Sequence, residues 1–258
     1  MFARNLVLAL GALATSVSAR TMPFNPRAGG GTCSADAVAC QSGSPSDTCC
    51  LPDNGIIILS QQWLTGYCAV ADCSALSTVP TTWTIHGAWP DSCDNQQVAS
   101  CGEASPNSDI SGSLQSYAPD LYNTMNELWV SYNGDNEVFW EHEWSKHGSC
   151  WSPAAQECFS DFQDGQDLAA YFGYVVALRN QFELGAAFDA AGITTGGTYA
   201  KTDIINAIQA TYPDLQVALL CKKGYLTEVY ASVYATPSGG VAGSPVGSKS
   251  TCPSQINF

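Results

Sequence analysis

Four short apolar runs predict β-strands at residues 55–63, 83–90, 215–221 and 226–235. Each run is rich in β-branched or aromatic residues and is bounded by turn-forming residues, which is typical of strands rather than helices. The last two runs are separated only by the turn-forming residues 222–224, so we expect them to pair around a tight turn.

Helical patterns occupy much of the remaining chain. Asp120 and Asp167 are predicted N-caps, because apolar residues recur behind each of them at helical spacing. A shorter helix is expected to start near residues 202–203, and the Gly-, Ser- and Pro-rich residues 237–248 predict a loop. Strands and helices do not alternate in βαβ fashion, so the sequence predicts an α+β fold in which helices pack on a central antiparallel sheet.

The first residues follow the three-part pattern of a secretory signal peptide. Arg4 precedes an apolar run over residues 6–14 that is too short to span a bilayer, and small residues end at Ala19. We expect cleavage after Ala19, which removes residues 1–19 and leaves residues 20–258 as a single secreted, extracellular domain. The alternative is an N-terminal core helix. No later run has membrane length, so no membrane partner is expected.

Composition and charge narrow the classes of function. Charged residues make up 12% of the 258 residues, which excludes a disordered polyelectrolyte and a coiled coil. Nine Lys and Arg against 23 Asp and Glu give a net charge of −14. Because phosphate attraction needs a basic face, a chain this acidic does not hold long nucleic acid by charge alone.

The twelve cysteines are an even set, and in an oxidising compartment such a set predicts a disulfide framework. Their positions are too scattered for a zinc ribbon. Adjacent Cys49 and Cys50 cannot easily pair with each other, so they are expected to tie two different segments to one point.

All histidines of the chain fall in two short segments, residues 83–91 and 139–148; they are His86, His142 and His147. Imidazole exchanges protons near neutral or mildly acidic pH. If the second segment is helical, Glu143 neighbours His147 and His142 neighbours Lys146, four residues apart in each case. Acid–base chemistry is therefore predicted, and the alternative is a set of hydrogen-bonded structural histidines.

Two other chemistries fit the second segment poorly. A zinc protease helix carries two histidines four residues apart, whereas His142 and His147 are five apart and point in different directions. Ser145 lacks the glycine-flanked elbow that presents a nucleophilic serine, so an exposed helical position is expected for it. We predict neither a metal site nor a cofactor.

Two histidines acting as acid and base beside a cation suit the cleavage of RNA by its own 2′-hydroxyl. A base removes the 2′ proton, the oxygen attacks the adjacent phosphorus, and an acid protonates the departing 5′ oxygen. DNA lacks the 2′-hydroxyl, so it cannot react in this way.

Residues 83–91 and 139–150 closely resemble the two active-site segments of the ribonuclease T2 family, the secreted acid ribonucleases. The cysteine-rich arm ending at residues 47–50 resembles the fungal branch, and the resemblance extends over residues 33–252. It implies a metal-independent endoribonuclease whose product is a 2′,3′-cyclic phosphate, which some members then hydrolyse to a 3′-phosphate.

The resemblance also implies a role for each residue of the histidine cluster. His147 is the expected general base and His86 the expected general acid. His142 is expected to bind phosphate. Glu143 and Lys146 are expected to polarise the phosphoryl group and stabilise its charge.

Base binding follows from the same resemblance. Trp89 and Asp91 match the first base site of the family, an aromatic platform with a carboxylate that accepts a base amino group. Gln62 and Phe139 match its second base site, with Ser131 as a further candidate. Stacking contributes roughly 1–3 kcal/mol per base. The alternative for both aromatic residues is packing in the core.

The chain departs from the family pattern in three places. Ala88 stands where Leu is usual, Gln97 replaces an aromatic residue expected soon after Asp91, and the stretch between Trp63 and His86 is longer than usual. That stretch offers a local disulfide in addition to five that the resemblance implies; the six pairs are Cys68–Cys73 and then Cys33–Cys50, Cys40–Cys93, Cys49–Cys158, Cys101–Cys150 and Cys221–Cys252.

The combined prediction is a monomeric endoribonuclease for single-stranded RNA with low base preference. Its acidity repels RNA at neutral pH, so maximal activity is expected at mildly acidic pH. One rival is a secreted effector that binds host targets and for which cleavage is dispensable. The other is a purely structural disulfide-rich protein, which does not explain why His, Glu and Lys cluster.

Overall fold

The computed structural model describes residues 33–44, 46–102, 109–244 and 247–258. The predicted signal peptide and its cleavage point after Ala19 lie outside the described residues. Within the described ranges, no helix combines the length and the apolar character needed to cross a membrane.

Seven strands form one sheet in the part of the chain that the structure describes; they are β1 (Ile56–Gln62), β2 (Thr84–Asp91), β3 (Thr198–Ala200), β4 (Gln216–Lys222), β5 (Tyr225–Thr236), β6 (Gly239–Ala242) and β7 (Gln255–Asn257). The strand order is β2-β1-β5-β7-β3, and β4 and β6 both pair with β5. The pairings are antiparallel, as predicted, except for a parallel contact between β5 and β7 at Tyr225 and Asn257.

The helices of the described residues cover the sheet and its edges; they are α1 (Leu64–Cys68), α2 (Ile110–Tyr117), α3 (Pro119–Leu128), α4 (Asn136–Lys146), α5 (Gln166–Gln181), α6 (Leu184–Ala190) and α7 (Lys201–Thr211). The predicted hairpin is formed by β4 and β5. Its two loop residues, Lys223 and Gly224, have φ values of 51° and 85°, the left-handed conformation that two-residue hairpins use.

One face of the sheet is apolar and packs against α5. Leu59 of β1 and Val229 of β5 are fully buried on this face. The Tyr171 hydroxyl of α5 donates a 2.9 Å hydrogen bond to the carbonyl of Ala88, which locks the helix to β2. Ala88 is itself buried, so the small residue at this position affects the core packing rather than the opposite face.

The opposite face of the same strands carries polar and aromatic side chains. The register places Gln62 of β1 opposite Glu228 of β5, and Ser60 opposite Tyr230. Trp89 of β2 pairs with Ile58, which lies two residues before Ser60 on β1, so its side chain lies on this face as well. The sheet therefore separates a hydrophobic core from a polar surface on which a functional site can be built.

The two predicted helix caps are both wrong by two positions, because the residue that caps α3 is Ala118 and the residue that caps α5 is Gly165. Helix α3 begins at Pro119, because proline has no N–H to satisfy and its fixed φ suits the first helical position. The cap of α5 is Gly165, which has a φ of 81°. Asp120 and Asp167 lie instead in the first turns, where a carboxylate interacts favourably with the helix dipole.

Two predictions about Gly and Pro are also corrected. Gly87 and Pro90 are turn-forming residues of the kind expected to bound the strands, but both lie inside β2. This is tolerated because β2 is an edge strand and Pro90 needs no ladder partner on its open side. The predicted loop over residues 237–248 contains β6. A side chain at Gly240 would collide with Val233, so glycine is required for this strand to reach β5.

All twelve cysteines form disulfides, in the five pairs that the resemblance implies and in the additional local pair Cys68–Cys73. Adjacent Cys49 and Cys50 bond to Cys158 and Cys33 respectively, so they tie two distant segments to one point. Cys40–Cys93 ties the N-terminal segment to the residues that follow β2, and Cys221–Cys252 ties the C-terminal segment to β4.

Candidate active site

A β-bulge in β2 presents His86. Ser60 of β1 pairs with Gly87 while the next residue, Gln61, pairs with Ile85, so His86 is the extra residue between them. A bulge bends its strand and redirects the side chain that it carries. The carbonyl of His86 accepts a 2.8 Å hydrogen bond from Nε1 of Trp129, which anchors the bulge to the C-terminal end of α3.

Carboxylates lie on both sides of the His86 ring. Nδ1 lies 3.2 Å from Oε2 of Glu228, and Nε2 lies 3.7 Å from Oε1 of Glu143. Burial opposes protonation of this ring, but the hydrogen bond and charge of Glu228, together with the charge of Glu143, outweigh it and raise the pKa of His86. The structure therefore favours a protonated imidazole at this position.

Helix α4 brings three of the predicted residues to the site. Asp135 caps the helix by accepting a 3.1 Å hydrogen bond from the N–H of Val138. Glu143 is buried on the inner side of the helix, whereas His142 and Lys146 are exposed. Burial, Lys146 and His86 together lower the pKa of His142.

His147 is the residue that caps the end of α4 rather than a residue of its last turn. Its N–H donates a 3.0 Å hydrogen bond to the carbonyl of Glu143, as a continued helix requires, but its ring stacks on Trp89 at 5.3 Å between centroids. Burial is the largest cause that lowers the pKa of His147 to about 3, followed by the nearby charges of Lys146, His142 and His86. This imidazole is neutral over the mildly acidic range.

Trp89 connects the two predicted catalytic histidines. Its ring contacts His86 edge-on at 5.2 Å and stacks on His147, so both imidazoles lie on one indole. Its Nε1 donates a 2.9 Å hydrogen bond to Oε2 of Glu143. A side chain at Gly87 would collide with that same carboxyl oxygen, so glycine lets the carboxylate approach the strand.

Glu143 is 1% exposed, and burial is the main cause that raises its pKa to about 7, against the opposing effects of His86, Trp89 and Lys146. Its second oxygen, Oε1, is buried and has no hydrogen-bond partner among the described residues. It lies 3.7 Å from Nε2 of His86. A carboxyl group in this state can exchange or accept a proton near neutral pH.

A cleft of about 160 Å³ opens beside His86. It is lined by the three residues predicted for the second base site, Gln62, Ser131 and Phe139, and by three that the sequence interpretation missed, Tyr67, Tyr132 and Glu228. Phe139 tilts towards the His86 ring at 5.6 Å between centroids. The cleft thus combines aromatic surface with polar groups next to an imidazole.

The residues predicted for the first base site lie outside this cleft. One face of Trp89 is covered by His147, and its edge meets Tyr230 at 5.1 Å. Asp91 is 5% exposed, and burial raises its pKa to about 6. It forms an isolated bridge with exposed Gln97, the residue that replaces the expected aromatic side chain. Neither Trp89 nor Asp91 lines the cleft beside His86.

Of the missed residues, Glu228 left the clearest signal in the sequence. It is the only charged residue in the predicted strand 226–235, yet a strand buried on a core has little reason to carry a carboxylate. Tyr67 and Tyr132 pack on each other at 5.0 Å, but they come from segments whose convergence the sequence does not reveal. Their role as cleft walls depends on the tertiary fold.

Comparisons with known proteins agree with this geometry. The model of the ribonuclease T2 family matches residues 54–240, which include every residue of the cluster. Ribonuclease Rh of Rhizopus niveus is 36% identical over 205 residues, covering 79% of this chain and 82% of that protein. Ribonuclease T2 of Aspergillus oryzae is 31% identical and covers 74% of this chain and 68% of its own length.

Solved structures show the same similarity. The crystal structure of Actibind, described as a T2 ribonuclease, has a TM-score of 0.76 and 31% identity, covering 88% of this chain and 97% of that chain. A mutant of RNase MC1 in complex with 5′-GMP has a TM-score of 0.55 and 26% identity, covering 79% of this chain and 99% of its own. This chain belongs to the ribonuclease T2 family and is an RNA endonuclease.

Proposed function

We propose that this ribonuclease is secreted and cleaves single-stranded RNA without a metal ion, by attack of the ribose 2′-hydroxyl on the adjacent phosphorus. The first product carries a 2′,3′-cyclic phosphate, which water then converts to a 3′-phosphate. After removal of residues 1–19, residues 20–258 act as one extracellular, monomeric catalytic domain.

One observation carries this proposal. His86 and His147 contact the same indole, and their surroundings displace their pKa values in opposite directions. Environments that push two titratable groups apart in this way define an acid and a base. His147, neutral at mildly acidic pH, accepts the 2′ proton, and protonated His86 donates a proton to the departing 5′ oxygen.

The phosphoryl group lies between these two imidazoles in the proposed complex. Lys146 and His142 are exposed at the end of α4 and meet the phosphate as cation and hydrogen-bond donor. Glu143, whose pKa is raised to about 7, carries a proton at acidic pH and can donate it to a phosphoryl oxygen that gains charge.

Base recognition in this proposal uses stacking rather than a full set of base-specific hydrogen bonds. Phe139 offers a stacking surface in the cleft, with Gln62 and Ser131 beside it. Trp89 and Asp91 contribute to the first base site. Because every base has an apolar face, such a site tolerates different bases, which gives low base preference.

The test is incubation of the purified protein with a panel of dinucleotides in EDTA, followed by identification of the products. Ribodinucleotides are expected to give 2′,3′-cyclic ends that later become 3′-phosphates. The matched control is the same panel with deoxyribose at the first position, which is expected to remain intact. Cleavage of the deoxyribose panel, or loss of cleavage in EDTA, would overturn the proposal.

A further inference from the structure

Glu228 contacts the ring of His86 on the side opposite Glu143. Its Oε2 lies 3.2 Å from Nδ1 of His86 and also accepts a 3.1 Å hydrogen bond from the hydroxyl of Ser60. Strand pairing fixes this side chain, because β5 places Glu228 directly opposite Gln62 at the end of β1. The Glu228 side chain is 13% exposed, so water competes weakly for its carboxylate.

The two nitrogens of His86 therefore have different surroundings. Nδ1 faces Glu228, an acceptor held by a serine hydroxyl, whereas Nε2 faces Glu143 and the groups expected around the phosphate. A neutral imidazole carries its single proton on one nitrogen, and the hydrogen bond made by one nitrogen decides which tautomer forms. A carboxylate beside Nδ1 keeps the proton there.

We propose that Glu228 is a positioning residue that holds His86 in the Nδ1–H tautomer and so reserves Nε2 for proton transfer. This inference rests on the proposed role of His86 as general acid. Protonated His86 gives its Nε2 proton to the 5′ oxygen as the P–O5′ bond breaks, and the neutral ring retains its proton on Nδ1, bonded to Glu228. When water attacks the cyclic phosphate, Nε2 accepts the proton that water loses.

Other groups around His86 do not supply this function. Glu143 of α4 lies on the Nε2 side of the His86 ring, and Lys146 acts on it through charge alone. His142 and His147, when protonated, carry the same charge as protonated His86. Trp89 and Phe139 contact the ring by packing. Among the described residues, Glu228 is the acceptor in contact with Nδ1.

The first test is NMR of ¹⁵N-labelled protein, which reports the tautomer of each imidazole. The chain has three histidines, so His86 can be assigned by comparison with a His86→Asn variant. Above its pKa, His86 is expected in the Nδ1–H form in the wild-type protein and in a mixture of tautomers in Glu228→Gln. This readout does not depend on catalysis, so it remains valid even if the proposed cleavage chemistry fails.

The second test is the pH dependence of kcat/KM on a ribodinucleotide. Glu228→Gln is expected to lower kcat by about 10-fold to 10²-fold with little change in KM, and to move the alkaline limb to lower pH. The limb moves to lower pH because removal of the Glu228 charge lowers the pKa of His86. Glu228→Asp keeps that charge and is expected to restore the limb in part.

Glu127→Gln is the matched control, since it removes one negative charge from an exposed position on α3. It is expected to leave the tautomer and the pH profile unchanged. Circular dichroism shows whether each variant is folded, and the tautomer of folded protein decides the question. An unchanged His86 tautomer and limb in Glu228→Gln, with or without a loss of activity, would overturn the proposal.

Discussion

Nε1 of Trp89 donates a 2.9 Å hydrogen bond to Oε2 of Glu143, a carboxyl group that is 1% exposed. The same indole stacks on His147. This contact joins β2 to the end of α4 and so links the two sequence segments that carry the histidines. The hydrogen bond also stabilises the ionised form of Glu143 and so opposes the rise in its pKa that burial causes.

Glu143→Gln is expected to increase the stability of the fold at alkaline pH. The pKa of Glu143 rises from 4.5 to about 7 on folding, so its contribution to stability is complete below about pH 4.5 and is lost as pH rises through about 7. Glutamine carries no charge and avoids this loss. At pH 8 the variant is expected to be more stable than the wild type by about 1–3 kcal/mol, measured by urea unfolding.

The difference should shrink as the pH falls towards 4.5, where the wild-type carboxyl is protonated as well. Glu127→Gln, on the exposed side of α3, controls for the change in net charge. A Glu143→Gln variant that is no more stable at pH 8 than at pH 4.5, relative to wild type, would show that this carboxyl does not titrate as described.

The rate of cleavage is expected to be greatest at mildly acidic pH. In the proposed mechanism, the active form has His147 neutral and His86 protonated. Since the pKa of His147 is lowered to about 3 and that of His86 is raised, this form dominates between the two values. A profile of kcat/KM on a single-stranded homopolymer should rise at low pH and fall as His86 loses its proton. A maximum above about pH 8 would contradict the assignment.

The two imidazoles are expected to dominate catalysis. His86→Ala and His147→Ala should each lower kcat by about 10²-fold to 10⁴-fold, because each removes one proton transfer from the transition state. Ser145→Ala is the control, since Ser145 is exposed on α4 and its hydroxyl donates to the carbonyl of His142. It should retain activity, whereas a loss comparable with that of the histidine variants would reopen a serine mechanism.

The same variants separate cleavage from a binding function. If His86→Ala protein loses RNA cleavage but keeps the full biological effect of the wild-type protein, binding to a target is the relevant activity. If both are lost together, cleavage is the cause. Folded protein is verified by circular dichroism in each case.

The disulfides are expected to contribute unequally to stability. Cys68–Cys73 closes a separation of 5 residues, whereas Cys49–Cys158 closes 109. Loop-closure entropy predicts a loss of about 2 kcal/mol for the first and about 5 kcal/mol for the second when both cysteines are changed to Ala. Chemical unfolding measures both. Equal losses would mean that local packing, not chain entropy, governs these bridges.

The sequence identified residues of the candidate site better than it predicted their arrangement in space. His86 and His147 could be identified because histidine is rare in this chain and each lies in a segment that resembles an active-site segment of the family. The bulge at His86 could not be predicted, because it depends on the register between β1 and β2. Glu228 contacts His86 only through long-range strand pairing, and no local pattern encodes that contact.

The helix ends illustrate the same limit on a smaller scale. Asp120 and Asp167 have good capping side chains, yet Pro119 and Gly165 supply backbone conformations that decide where the helices begin. Similarly, Gly240 reads as a loop residue in isolation, although it allows β6 to approach β5. Local propensity therefore located the long elements, whereas backbone conformation at Pro119 and Gly165 set the helix starts and a close tertiary approach at Gly240 allowed a strand inside a predicted loop.

Phe139 is expected to hold a base in the cleft by stacking. Phe139→Ala removes the aromatic surface beside His86 and should raise KM for ribodinucleotides by about 10-fold to 10²-fold, which corresponds to roughly 1–3 kcal/mol for a stacked base. Val138→Ala is the matched control, because Val138 is the neighbouring residue, is 57% exposed and does not line the cleft. KM should be unchanged in this control. Equal effects of the two variants, or an unchanged KM in Phe139→Ala, would mean that this ring packs against His86 without binding the substrate.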